Sequence, residues 1–261
     1  MKQFLLFACL VLGVSAFADE TPNAAIEVVS GQGKTPPVLA GEVEAVDVLR
    51  ACRAMLPVRP VELTGSLILR TRKGIVSSEH DYRLVMRRND EVSLLTVKLM
   101  PRGETNEVAV VTISRRQGMG PVIRLSRPGT AEAEIVESPL ASVQGTDVTW
   151  LDLTFDFLWW SKASYEKDRE GESVHGQTCV VIFVKPEVRI EGLSGVRLWV
   201  DKKTGCLMQA EQVGVDGKPI RRLWGTRIKK MDGKWMVSVL EVETLGARHR
   251  TKITVDGLRE L

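Results

Sequence analysis

V-R-L-W-V-D-K-K-T-G-C-L-M-Q-A-E-Q-V, residues Val196 to Val213, reads as two apolar-rich strand patterns joined by a turn at Asp201 to Gly205. Two further turns, Asp216-Gly217 and Asp232-Gly233, each join two runs of the same kind. Asp-Gly suits such places because a tight hairpin needs positive φ at its central residues, which glycine adopts freely and aspartate tolerates. Successive hairpins of this kind predict an antiparallel sheet.

Outward from this meander, upstream, lies S-V-Q-G-T-D-V-T-W-L-D-L, Ser142 to Leu153, leading into the aromatic run F-D-F-L-W-W, Phe155 to Trp160. Asp152 is placed to cap a helix starting near Leu153, since its carboxylate can accept the free N–H groups of a first turn. We therefore expect a short helix over the aromatic run. Further upstream, V-E-L-T-G-S-L-I-L-R from Val61, D-Y-R-L-V-M-R-R from Asp81, E-V-S-L-L-T-V-K-L-M from Glu91, Val108 to Ile113 and Val122 to Leu125 are strand patterns bounded by Gly, Asn-Asp or Pro. Their short spacing, with no long helical segment between them, argues for a barrel or strongly curved sheet over alternating βαβ units. One amphipathic helix precedes them. Val46, Leu49, Ala51, Ala54 and Met55 recur at helical spacing between Glu44 and Leu56, and Pro57 ends it.

The N-terminus has the form of a secretion signal: Lys2, an apolar stretch from Phe4 to Val14, and Ala16-Phe17-Ala18 as the processing site. The apolar stretch is shorter than the roughly 20 residues of a membrane span. Leu6-Phe7-Ala8-Cys9 has the outline of a lipobox, but its apolar region would be only a few residues long. We expect residues 1–18 to be a signal peptide cleaved after Ala18, residues 19–41 a Pro-, Gly-, Ser- and Thr-rich leader, and residues 42–261 one β-rich domain. Export across a Gram-negative-type envelope means the periplasm.

Loss of Lys2 lowers the formal net charge from +3 to +2, which is no nucleic-acid footprint. Arg87-Arg88, Arg115-Arg116, Arg221-Arg222 and Lys229-Lys230 are interleaved with acids and read as solvated strand edges. Three cysteines remain after the signal. Cys179 and Cys206 begin strands expected one strand apart, about 10 Å between backbones. A disulfide wants Cα atoms about 4.4–6.8 Å apart, so this candidate bond requires a bulge or loop position; Cys52 is expected free and buried in the helix.

Nothing in the pattern recommends an enzyme. His80, His175 and His249 are far apart, and Glu79-His80-Asp81 reads as the polar entrance to a strand. Gly31-Gln32-Gly33-Lys34-Thr35 imitates a phosphate loop, but Val28 replaces its first glycine and Pro36-Pro37 forbids the following helix. Gly192-Leu193-Ser194-Gly195 lacks the strand–elbow–helix setting of a serine hydrolase. Asp147 and Asp152 lack a polar cluster for acid–base work and read as loop-fixing and capping groups. No cofactor and no metal site is implied.

Together, S-x-x-G-x-D-x-x-x-x-D-L from Ser142, L-W-V-D-K-K-T-G from Leu198 and the Asp-Gly hairpins resemble the outer-membrane lipoprotein-sorting, LolA-like family, from about Glu44 to the C-terminus. The resemblance implies a mainly β fold with a few helices: a curved, incomplete antiparallel barrel covered by helices, enclosing a cavity for acyl chains. It also implies a monomeric periplasmic carrier of acylated lipoprotein or lipid, with an inner-membrane extractor and an outer-membrane acceptor as partners. Each buried methylene contributes about 0.8 kcal/mol, so a single long chain left in water is penalised by around 10 kcal/mol. On this reading Phe155, Phe157, Leu158, Trp159, Trp160 and Trp199 line or cover the cavity, and Gly145, Asp147, Asp152 and Leu153 set the loop at its mouth. The arginine that latches the family's lid has no matching position in the sequence. The alternative is a non-transporting binding or sensing module of the same fold that recognises a partner protein, favoured if the cavity is filled by the chain's own aromatic side chains.

Overall fold

The run A-V-V-T-I-S-R-R, Ala109 to Arg116, shows how this sequence makes sheet: Ala109, Val111, Ile113 and Arg115 point to the buried face, and the residues between them are more exposed. The computed structural model describes residues 43–57, 59–88, 92–116, 119–231 and 234–261. The proposed signal peptide, the leader with its Gly31–Thr35 segment, and the Asp232-Gly233 turn lie outside them.

Among the described residues the strands are β1 Val61–Thr71, β2 Val76–Arg88, β3 Val92–Pro101, β4 Ala109–Arg116, β5 Val122–Ser126, β6 Glu134–Ile135, β7 Lys162–Tyr165, β8 Ser173–Val174, β9 Gln177–Lys185, β10 Leu193–Asp201, β11 Leu207–Gly214, β12 Pro219–Met231, β13 Lys234–Thr244 and β14 His249–Glu260. They form one antiparallel sheet in the order β6-β5-β4-β3-β2-β1-β14-β13-β12-β11-β10-β9-β7, with β8 paired to β9. Two meanders are thus joined at the centre by the first and last strands, paired from Val61 opposite Glu260 to Thr71 opposite His249 with a shift of register between Thr64 and Gly65. The sheet is curved and open, with β6 and β7 at its two edges.

The predicted hairpins are present where they can be described. At Asp201 the side chain accepts from Thr204 N (3.1 Å) and Thr204 Oγ1 (2.6 Å), while Gly205 takes φ +73°. That geometry explains the D-K-K-T-G spelling. At the next turn Lys218 N donates to Asp216 Oδ1 (3.1 Å) and Gly217 takes φ +77°. β12 and β13 pair with Met231 opposite Lys234.

Helices α1 (Ala45–Ala54) and α2 (Trp150–Thr154) and short 3₁₀ turns complete the described elements. Of the expected α1 face Leu49, Ala51 and Met55 are buried, but Val46 and Ala54 are exposed and Ala45, Val48 and Cys52 are buried in addition. Ala45, Val48, Leu49 and Cys52 have the regular i, i+3, i+4, i+7 spacing, in which Cys52 counts as a small hydrophobe.

Cys179 and Cys206 are free thiols, contrary to the candidate bond. Cys179 stands opposite Asp201 on β10, and its Sγ contacts Gln177 O (3.4 Å). Cys206 sits before β11 and packs against Met55 and Leu56 at the end of α1. β10 lies between the two thiols, so neither a bulge nor a loop brings them together.

The β1–β14 junction leaves no room for a side chain at Gly65. A Cβ there would lie 1.8 Å from Thr254 O and 2.8 Å from Tyr82 Oη, which itself donates to that oxygen (2.8 Å). Gly65→Ala must push backbone apart and break the tyrosine bond. We expect a loss of about 3 kcal/mol, seen as a lower urea midpoint with an unchanged slope. A loss under about 0.5 kcal/mol would mean that the strands separate easily here.

Candidate functional site

The Ser142–Asp152 motif builds a loop tied down at both ends. Gln144 (φ 49°) and Gly145 (φ 70°) turn the chain, and Ser142 bridges back to Thr149. Asp147 is buried beneath it. Its N–H donates to Thr251 Oγ1 (2.8 Å), and its carboxylate accepts from Thr251 Oγ1 (3.2 Å) and Thr244 N (3.3 Å) and meets His249 Nδ1 (2.9 Å). This carboxylate therefore fastens the loop to β13 and β14.

Asp152 closes the second tie. Thr149, not Asp152, is the N-cap of α2: the Thr149 side chain accepts from Asp152 N, and the Asp152 carboxylate accepts from Thr149 N and Thr149 Oγ1 (both 2.8 Å). This is a reciprocal capping box one turn upstream of the expected helix start. The same carboxylate accepts from Gln212 Nε2 on β11 (2.8 Å) and lies 3.7 Å from Arg221 Nη2 on β12. Burial raises its pKa, with Arg221 and the hydrogen bonds from Thr149 and Gln212 opposing.

After α2 the chain reverses at Phe155, whose φ of 48° is uncommon for a bulky side chain, and makes a 3₁₀ turn over Asp156–Trp159. The aromatic run is thus helical, as expected, but tightly wound. Its side chains divide. Phe155, Phe157, Leu158 and Trp160 are buried and Trp159 is half-buried, and Trp160 Nε1 donates to Asp156 Oδ2 (2.9 Å). Phe155 stacks edge-on to Phe157, and Trp159 packs against Met55, Leu56 and Cys206.

An ion pair that the sequence reading missed holds this segment on the sheet. Arg115 of β4 pairs with Asp156, both side chains about one-tenth exposed, and its guanidinium lies 4.8 Å from the Trp159 ring centre. Burial, and then the charge of Arg53, lowers the Arg115 pKa to about 10, which leaves it cationic at neutral pH. Arg53 on α1 donates to Leu158 O (3.2 Å) and ties the other side. Arg115 is therefore not the solvated residue expected, although Arg116 beside it is exposed, and Arg221, paired with Asp152, is not solvated either. The signal for Arg115 was its phase: it continues the inward alternation of Ala109, Val111 and Ile113.

Between the aromatic segment and the sheet lies an apolar cleft with a volume of about 50 Å³. Leu153, Phe155, Leu158 and Trp159 line it from the segment side, Met86 and Leu95 from the N-terminal meander, and Met208, Leu223, Trp224 and Leu240 from the C-terminal one. Of the side chains predicted to meet at a cavity, Phe157 and Trp160 do not line this cleft. Trp199 is elsewhere: its Nε1 donates to Glu172 Oε2 (2.7 Å), with Arg169 and Arg197 near its ring. Gly145 is not at the cleft mouth. It borders a separate, polar and open hollow of about 660 Å³ with Arg127, Glu134 and Trp150.

Among the described residues no three His, Cys, Asp or Glu side chains are grouped to hold a metal ion. The Glu79-His80-Asp81 segment lies within β2, where Asp81 accepts from Ser66 Oγ (3.0 Å) and Gly103 N (2.9 Å).

Residues 133–259 match a protein family whose description reads only "Uncharacterized protein". No curated protein matches the chain in sequence. Among solved structures, the chain is similar to a putative outer membrane lipoprotein-sorting protein domain from Vibrio parahaemolyticus, at TM-score 0.71 and 16% identity over 83% of this chain and 92% of that one. A DUF1329 family protein from Desulfovibrio piger gives TM-score 0.70 and 16% identity over 83% and 91%. A LolA superfamily protein from Nitrosomonas europaea gives 0.62 and 15% over 84% and 96%. The resemblance carried by the Ser142 motif and the hairpins is therefore matched in three dimensions, and the chain is LolA-like in fold.

Proposed function

We propose that this protein is an exported, periplasmic, non-catalytic carrier that takes an acyl chain of a lipoprotein or related envelope lipid into the cleft beneath Phe155–Trp159. One observation carries the reading: an apolar cleft runs between the sheet and an aromatic segment that packs Phe157 and Leu158 into the core and is tied by Arg115 to Asp156 and by Arg53 to Leu158 O. A carrier must shield a chain and then release it, so on this reading the segment withdraws from the core as these two polar ties part. On this reading α1 and the aromatic segment form the cover, and the geometry described is the closed form.

A cleft of about 50 Å³ is far smaller than the roughly 300–1,000 Å³ of ordinary ligand pockets, so cargo entry requires the cover to move. The same tightness favours a second reading, a module of this fold that recognises a partner protein and carries no lipid. Native mass spectrometry of the processed protein from its own host's periplasm, followed by organic extraction, separates them. The carrier reading expects a co-purifying acylated species and at least tenfold weaker acyl-probe binding by Trp159→Asp. Bare polypeptide mass and no binding of added acyl probes would leave the recognition module.

A further inference from the structure

Cys206 does not face Cys179, but it does face α1. The Cys52 Sγ lies 3.3 Å from the carbonyl oxygen of Gly205, the peptide group that leads directly into Cys206. Helix and turn are in close contact here: a Cβ on Gly205 would stand 3.3 Å from the Ala51 Cβ. Cys206 itself packs against Met55 and Leu56, the residues just beyond the last turn of that helix. Both thiols are buried and free in this structure. The Cys206 sulfur is also near enough to oppose ionisation of Cys52, whose pKa burial raises first.

We propose that Cys52 and Cys206 are a thiol–disulfide site, closed by a small-molecule or protein disulfide as the oxidant, which staples α1 to the β10–β11 turn. The Cys52 thiolate attacks one sulfur of the donor disulfide, forming a mixed disulfide and expelling one donor thiolate. The Cys206 thiolate then attacks the Cys52 sulfur, closing the Cys52–Cys206 bond and expelling the second. The protein loses two electrons and two thiol protons, and the donor becomes two thiols. Burial holds the Cys206 pKa up at about 12, so in the docked state neither sulfur is a ready nucleophile. The bond therefore forms before α1 seats, and once α1 is seated burial shields it from reductants. The staple lies directly under Trp159, which packs on Cys206, Met55 and Leu56, and so fixes one wall of the cleft. A disulfide donor in the cell presupposes the proposed export; the chemistry does not.

The test is refolding of the reduced, denatured processed chain in a glutathione–glutathione disulfide buffer, then alkylation, intact mass and non-reducing peptide mapping. We expect a mass 2 Da below the reduced chain, a Cys52–Cys206 peptide and alkylated Cys179. The 2 Da difference should persist in Cys179→Ala and vanish in Cys52→Ala and Cys206→Ala. Reduction of the wild-type bond should lower Tm by about 5–10 °C, as expected for a long closed loop in a chain of this size. Three alkylated cysteines in the wild type, or a link through Cys179, would overturn the proposal. Mapping the wild type keeps the test decisive even where an alanine variant fails to fold.

Discussion

Arg115→Ala is expected to lower stability by about 3–5 kcal/mol and to free the aromatic segment from the sheet. Removing one member of a buried ion pair costs far more than the pair contributes, because the partner stays behind as an uncompensated charge. That partner is Asp156, about one-tenth exposed, with the Trp160 indole as its remaining donor. The segment would keep its Arg53 tie but lose the guanidinium against Trp159. Urea unfolding gives the energy, and hydrogen exchange at residues 155–160 gives the location. The double variant Arg115→Met/Asp156→Leu should recover most of the loss, since replacing both charges with apolar groups is near neutral. With the segment acting as a cover, Arg115→Ala should also load an acyl probe faster, with the double variant between it and the wild type. A loss under about 1 kcal/mol with unchanged exchange would show that the apolar side chains alone hold the segment, and would remove the latch from the carrier reading.

The sheet was legible because its turns are spelled out locally. Asp201, Thr204 and Gly205 make their turn almost entirely with one another, so four or five consecutive residues suffice to find it. The Ser142–Asp152 motif was legible as a loop fixed by Asp147 and capped with the help of Asp152. Its ties were not, because Thr251, His249, Gln212 and Arg221 come from strands 60 to over 100 residues away. Counting aromatics near the motif gathered Trp199 with the others, although its strand turns it toward Glu172. Pairing adjacent charges in the sequence put Arg115 in solvent, although the two-residue period of β4 carries it inward. In both cases the strand alternation was the better guide than composition. The cysteine pairing failed for a similar reason: two strands in one meander appeared closer than a helix 150 residues upstream.

Asp152 gives the second large effect, and its pH dependence tests the physical account. Asp152→Ala strips the acceptor from Thr149 N, Thr149 Oγ1 and Gln212 Nε2 at once, and leaves Arg221 without its nearby carboxylate. We expect a loss of about 3–5 kcal/mol and fraying of α2, read by urea unfolding and circular dichroism. Asp152→Asn keeps the shape and one acceptor, and should cost less. Burial raises the carboxyl pKa of Asp152 in the folded state above the unfolded value of about 3.9, despite Arg221. Above that unfolded value the native chain therefore holds a proton that the unfolded chain has released, and this group's contribution to stability falls as pH rises, until the folded pKa is passed. The stability gap between wild type and Asp152→Asn should accordingly be widest near pH 4 and narrow toward neutrality, the reverse of an ordinary surface ion pair. A gap that widens with pH would mean that Arg221 outweighs burial, and that the loop is held by a salt bridge. With burial dominant, the tie joining the Ser142 loop to β11 and β12 is a hydrogen-bonded cap whose charge is a burden on the fold. The carboxylate is then retained for its three acceptor contacts, and the loop's position over the sheet depends on their geometry.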